Sequence, residues 1–281
     1  MASNSGIEWT DHTMNLWWGC RRVHAGCDNC YAADLAHRFN PNQPLWDDLD
    51  DGTPAPRRFV KSGWNALNKW QREAQRAGVY RRVFVGSMMD IFEKPQPLIN
   101  NDGLPIMSMK VTLAGNQFEI NRPINTGDLR KFFFDMVVPN FPNLMFLLLT
   151  KRPSLINKYT PTSWKAFPPR NVMFGATVVD EESMKTVYRH LPAIRGAKFL
   201  SMEPMLGPVP VEAILPHVDW VIVGGESGPK KRPFNPAWAR RIKRACDEYE
   251  TSFFMKQIDK VKPIPDDLMI REFPNHHLWD G

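Results

Sequence analysis

Seven short runs of apolar, β-branched and aromatic residues punctuate the chain, and their rhythm constrains the fold more than any other feature. They cover 15–19, 82–87, 145–150, 172–177, 199–202, 220–224 and 253–256. None alternates polar with apolar, so each suits a strand covered on both faces, as in a parallel sheet. Helical periodicity fills many of the gaps, at about 30–39, 64–76, 127–138, 181–191 and 236–248. Strands alternating with helices make βα units, and right-handed crossovers then favour an α/β barrel or a doubly wound sheet. At 281 residues the chain has room for one large barrel or two small domains, and its 43% apolar content supplies a core rather than a disordered chain.

Polar and charged residues follow the predicted strand ends: 87–90, 150–152, Glu203, Glu226 with Ser227, and Lys256 with Gln257. In βα barrels the site is built at the C-terminal ends of strands. One such end is an ordinary loop start; the repetition along successive strands points to a shared pocket. The reading is a single domain over 1–281 with two insertions. Residues 40–62, rich in Pro, Asp and Arg, read as a long loop. Residues 92–125 hold two β-like runs around Ala114, Gly115 and Asn116, a hairpin pattern. Long insertions in compact domains are usually functional, and both are expected to contribute to a substrate lid.

Composition narrows the classes. The N-terminal MASNSGIEWTDH lacks the basic start and apolar run of a secretory signal, and no apolar stretch nears the roughly 18 residues of a membrane helix. A cytosolic protein is expected. Four cysteines are too few for a disulfide framework, and the net charge of +6 is compatible with a polyanionic partner.

Three of those cysteines fall in GCRRVHAGCDNCYA, a C-x6-C-x2-C spacing at Cys20, Cys27 and Cys30. Thiolates favour soft metals, and a C-x2-C pair can serve one centre from a single turn. Zinc could take the three thiolates with His24, whereas a 4Fe–4S cluster could take the thiolates and keep one iron open. The loop follows a predicted strand and opens a helix, which favours iron–sulfur over a zinc staple. Cys246, inside the charged helix ARRIKRACDEYE, reads as structural.

The ordered segments EWTDHTMN, GCRRVHAGCDNCYA, VFVGSMMD, FLLLTKRP, FLSMEPMLGP, WVIVGGESG and FFMKQ together resemble a phage-associated family of three-cysteine, radical-SAM-like proteins, where SAM is S-adenosylmethionine. The likeness spans nearly the whole chain. It departs from the general superfamily pattern in a first gap of six residues rather than three, and in Tyr31 following the last cysteine where an aromatic usually precedes it. The resemblance implies a partial (β/α)6 radical-SAM-type barrel with inserted loops and a hairpin. It implies that Cys20, Cys27 and Cys30 hold a 4Fe–4S cluster whose open iron binds SAM, and that an external one-electron donor triggers a 5′-deoxyadenosyl radical. Cofactor contacts would then come from Tyr31, from Gly86, Ser87, Met88 and Asp90, from Thr150, Lys151 and Arg152, and from Gly224 and Gly225. Glu203 and Glu226 are the catalytic candidates, and Lys256 could meet an anion.

The same resemblance implies a nucleic-acid base as substrate, such as a modified thymine in phage DNA whose attached amino-acid group is rearranged within the host cytoplasm. Repair of a damaged base is the second enzymatic reading; a non-catalytic zinc protein that binds nucleic acid is the contrasting class. Candidate phosphate contacts are Arg21, Arg22, Arg57, Arg58, Lys61, Arg81, Arg82, Lys230, Lys231 and Arg232, and exposed tryptophans could stack on an extruded base. Trp220, inside a predicted strand, belongs to the core.

Overall fold

A computed structural model describes residues 5–113 and 115–274. The first half of the chain forms β1 (His12–Met14), β2 (Trp17–Trp18), α1 (Tyr31–Phe39), β3 (Arg57–Phe59), α2 (Ser62–Ala77), β4 (Arg81–Val85), β5 (Leu98–Ile99), β6 (Met109–Leu113), β7 (Asn116–Ile120), α3 (Thr126–Phe132) and α4 (Val138–Asn140). The second half forms β8 (Leu144–Thr150), α5 (Ile156–Tyr159), β9 (Val172–Thr177), α6 (Glu181–His190), β10 (Ala197–Met202), β11 (Trp220–Gly224), α7 (Pro236–Glu248) and β12 (Ser252–Gln257). The fold is mixed α/β. Its main sheet has seven strands in the order β1-β4-β8-β9-β10-β11-β12, with β2-β3-β5 and β6-β7 as smaller sheets. Among the described residues no helix is long and apolar enough to cross a membrane.

The chain divides into two compact units, Met1–Arg22 with Ala32–Leu147, and Val23–Tyr31 with Leu148–Gly281. In the first, β1 and β4 pair in parallel, His12 opposite Val83. The expected strand at 15–19 is displaced: β1 ends at Met14, and Trp17 and Trp18 pair with Phe59 and Arg58 instead. Polar residues hide β1 from a hydropathy reading. The Thr10 hydroxyl donates to the carbonyls of His12 and Arg82, and the His12 ring stacks on Trp70 at 4.3 Å.

The segment 40–62 is not loop throughout, because it delivers β3 between β2 and β5. Arg57 is fully buried there, its guanidinium bidentate on Glu93 at 2.9 Å and donating to the carbonyls of Leu45 and Ala55. Its expected phosphate contact is therefore corrected: a buried arginine needs this full set of acceptors. The hairpin forms as read, β6 antiparallel to β7, with Phe118 against Phe132 at 4.9 Å. The helix expected at 127–138 is α3 followed by a π-helical turn at Phe133–Val137 and α4.

In the second unit β9, β10, β11 and β12 pair in parallel, so their C-terminal ends lie along one edge. Their side chains are buried almost without interruption, as expected of a sheet covered on both faces. Trp220 is in the core, within 6.0 Å of the rings of Phe199, Phe254 and Phe273. Helix α6 opens on a reciprocal cap: Asp180 accepts from the Ser183 N–H, and the Ser183 hydroxyl accepts from the Asp180 N–H. Helix α7 starts at Asn235 and Pro236, the residue types suited to a helix N-terminus.

Candidate functional site

The cysteine loop is shaped by local hydrogen bonds. His24 caps a short 3-10 turn, Ala25–Cys27, by accepting the Gly26 N–H at Nδ1 over 3.0 Å. The Cys27 and Asp28 N–H groups close the turn on the carbonyls of His24 and Ala25. Gly26 leaves no room for a side chain, since a Cβ would lie 2.6 Å from Val179 Cγ1. Cys27 ends this turn and Cys30 directly precedes α1; neither is in a disulfide and both thiols are half-buried. Burial, then the positive Lys151 and Arg152, push the His24 imidazole down to about 4, against the opposing pull of Asp180 and Asp28. The ring is thus neutral at pH 7. With Nδ1 accepting, the proton sits on Nε2, a buried atom with no hydrogen-bond partner among the described residues. As a zinc ligand His24 would have to give up its cap or shed that proton.

Around the loop stand the strand-end residues of the same unit. Lys256 donates to both carboxylate oxygens of Glu203, at 2.5 and 2.7 Å, and both side chains are largely buried. Tyr31 is half exposed, but protein crowds its hydroxyl, and this crowding with the nearby Glu203 and Cys30 raises its pKa. Glu226, buried beyond β11, accepts from Arg232 Nη2 at 2.6 Å, Arg232 Nε at 3.0 Å, the Arg232 N–H at 2.9 Å and Asn29 Nδ2 at 2.9 Å. Burial would raise the Glu226 pKa, but these hydrogen bonds and the Arg232 charge outweigh it and hold the carboxyl below its ordinary value. Arg232 also donates to the Ala25 carbonyl at 3.0 Å, and Asn29 to the Lys230 carbonyl at 2.9 Å.

The two glycines after β11 differ. A Cβ on Gly225 would sit 2.0 Å from the Ile258 carbonyl oxygen, whereas one on Gly224 would make ordinary contacts from 3.4 Å outward. Thr150 accepts the Arg152 N–H at 2.9 Å. At two other strand ends, Thr177 Oγ1 and Gln257 Oε1 are buried with no hydrogen-bond partner among the described residues.

The remaining candidates belong to the first unit. Cys20 is half-buried, its carbonyl accepting from the Asp47 N–H and its thiol donating weakly to the Arg21 carbonyl. Gly86 takes φ +112, conformational space that favours glycine. Ser87 Oγ accepts from Asn15 Nδ2 at 2.9 Å, and Asn15 Oδ1 accepts the Met88 N–H at 2.8 Å. Asp90 is buried and accepts the Phe92 N–H.

The second unit therefore gathers Cys27, Cys30, Tyr31, Thr150, Lys151, Arg152, Glu203, Gly224, Gly225 and Glu226, while Cys20 and Gly86, Ser87, Met88 and Asp90 lie in the first. Asn15, Asn29 and the inward role of Arg232 escaped the sequence reading; a short polar residue at a strand end and a basic residue after GGE were the only signals. Arg232 is corrected as a phosphate contact, its guanidinium being engaged by Glu226, Ala25 and Asp28. Lys231 pairs with Asp259 at 3.4 Å, while Lys230 is exposed. Arg58 lies over the Trp18 ring at 4.7 Å. Trp9, Trp17, Trp70 and Trp220 are buried, and no described tryptophan is fully exposed.

Cys27 and Cys30, in one unit, are two thiol donors of the kind that suits a soft metal. Among the described residues no group of three or more His, Cys, Asp and Glu side chains gathers in the manner that holds a metal ion. Fold and site define an α/β protein with charged residues and a cysteine loop at the C-terminal ends of parallel strands. The chain belongs to the family described as protein of unknown function DUF5131, whose profile matches residues 4–104 and 124–271. No curated protein matches it.

Proposed function

We propose that the protein is a radical SAM enzyme, built on a partial (β/α)6 barrel of that type, which acts on a nucleic-acid base in the cytoplasm of a phage-infected cell. One observation carries the reading: Cys27 and Cys30 share a unit with the buried carboxylates and cations at the ends of parallel strands. Thiolates at Cys20, Cys27 and Cys30 would hold a 4Fe–4S cluster with one iron open. A bound cluster and SAM supply one-electron chemistry that removes a substrate hydrogen, with electrons from an external donor.

The chain's own residues bind and orient. Lys151 and Arg152 bring positive charge for a cofactor or substrate carboxylate. Ser87 and Asp90 offer acceptors for an ammonium group, with Gly86 turning the chain just before them and Met88 held by Asn15. The Glu203–Lys256 pair presents one acceptor and one donor that a polar substrate group can compete for. Tyr31, its proton held more tightly than usual, stays a neutral donor beside Glu203.

Anaerobic reconstitution with iron and sulfide tests the proposal. Wild type should turn brown, absorb broadly near 400 nm and cleave SAM on reduction; Cys27→Ala should do neither. A colourless protein that instead retains zinc would sink it. Mass spectrometry of nucleosides from DNA incubated with the reduced enzyme then identifies the base altered; rearrangement of an amino-acid group on thymine is the specific outcome proposed.

A further inference from the structure

The established geometry leaves Glu226 poorly placed as a free base, because four donors already converge on its two oxygens. Those donors come from two places. Arg232 follows β11 on the same loop, and Asn29 lies between Cys27 and Cys30. Arg232 reaches the cysteine loop a second time through the Ala25 carbonyl, with the Asp28 carboxylate 3.4 Å from the same nitrogen. Asn29 in turn reaches the Lys230 carbonyl. Every contact lies inside one unit.

A buried carboxylate and its arginine are costly to desolvate, and the cost is offset only where hydrogen bonds satisfy the remaining lone pairs and protons. Here the Arg232 N–H supplies one of those extra bonds from its own loop, and the side-chain bonds beyond the ion pair run to residues 25–29. The pair is therefore tied to a loop whose own regular structure is a three-residue 3-10 turn, Ala25–Cys27.

We propose that Glu226, Arg232 and Asn29 form a clamp of positioning residues that fixes the cysteine loop in the conformation presenting Cys27 and Cys30 to their cluster. The proposal rests on the radical SAM reading for the cluster but not for the clamp. It makes Glu226 act through the loop instead of on substrate.

The test uses the full chain in four forms: wild type, Glu226→Gln, Arg232→Ala and Arg232→Lys. Amide hydrogen exchange across 24–31 is followed before and after reconstitution, and the rate of iron loss to a chelator and the EPR spectrum of the reduced protein are recorded afterwards. Charge-assisted hydrogen bonds of about 1.5–3 kcal/mol correspond to roughly tenfold or more in an opening equilibrium. Glu226→Gln and Arg232→Ala should thus exchange and lose iron about tenfold faster, with an altered EPR signature, while the thermal transition stays cooperative. Arg232→Lys, which keeps the charge, should recover part of the protection. Unchanged exchange across 24–31 in both Glu226→Gln and Arg232→Ala overturns the clamp. Wild type that takes up no cluster overturns the functional reading instead, and exchange in the cluster-free chain still decides the clamp.

Discussion

Cys246 and the loop cysteines separate cleanly by environment. Cys246 is buried in α7, and burial, then the nearby Asp247, push its thiol up to about 12. Thiolate is the reactive species, so iodoacetamide at pH 8 should label Cys27 and Cys30 in the cluster-free protein and spare Cys246. Peptide mass spectrometry reads the outcome, and early labelling of Cys246 would contradict the packing of α7. The local charges also set a pH dependence with a defined sign. His24 and Glu226 both have folded pKa values below their ordinary ones, 6.5 and 4.5, so the unfolded chain binds protons first as pH falls. Stability contributed by these groups is present above the ordinary value and lost below it, between about 6.5 and about 4 for His24 and below about 4.5 for Glu226. The midpoint of thermal unfolding should fall across both windows. His24→Asn, which keeps a capping acceptor, should flatten the upper window and Glu226→Gln the lower; identical slopes in all three proteins would refute the assignment. The sequence revealed these residues only partly. GGE marked Glu226, but its partner Asn29 lies 197 positions away, a separation that no local spacing encodes.

Elements were legible where burial is continuous. Strands β9 and β11 and helix α7 occupy the ranges read from the sequence, because unbroken apolar runs and a clean helical period need no tertiary information. Strands β1 and β3 were not, because each buries a polar side chain whose partner comes from elsewhere: His12 on Trp70, Arg57 on Glu93. At the end of β11 the sequence offered two glycines as equals, and the backbone distinguishes them. Alanine at 225 would drive its Cβ into the Ile258 carbonyl, a contact that must shift backbone rather than a flexible side chain. Gly225→Ala should cost about 1–3 kcal/mol, the usual penalty for overpacking, and Gly224→Ala well under that. Denaturant midpoints at constant m-value provide the comparison. Equal midpoints for the two variants would mean that the loop after β11 yields without resistance.

Charge is a property of the whole molecule, and the formal +6 counts every internal ion pair as neutral without saying which cations face outward. Arginines that looked like a phosphate track are paired inside each unit: Arg57 with Glu93, Arg82 with Asp11, Arg232 with Glu226. Arg21, Arg22 and Lys61 remain exposed on one unit and Lys230 on the other. If polymeric DNA is the substrate, as proposed, its affinity should fall with salt as each neutralised phosphate releases counterions. The slope of log K against log salt should then reflect a few contacts rather than the ten basic candidates of the sequence. Lys230→Ala should reduce that slope by about 0.9, one phosphate's share, and weaken all DNA sequences alike because phosphates carry no sequence information. Arg57→Ala should behave in the opposite way. It removes the guanidinium that faces the buried Glu93 carboxylate, a loss of about 3–5 kcal/mol, so unfolding rather than binding is what changes. Fluorescence anisotropy with labelled single- and double-stranded DNA between 50 and 300 mM salt, beside denaturant melts of both variants, measures the two effects. A Lys230→Ala slope equal to wild type would remove that loop from any polymer interface, and a salt-independent wild type would point to a free nucleotide, whose few charges give little counterion release.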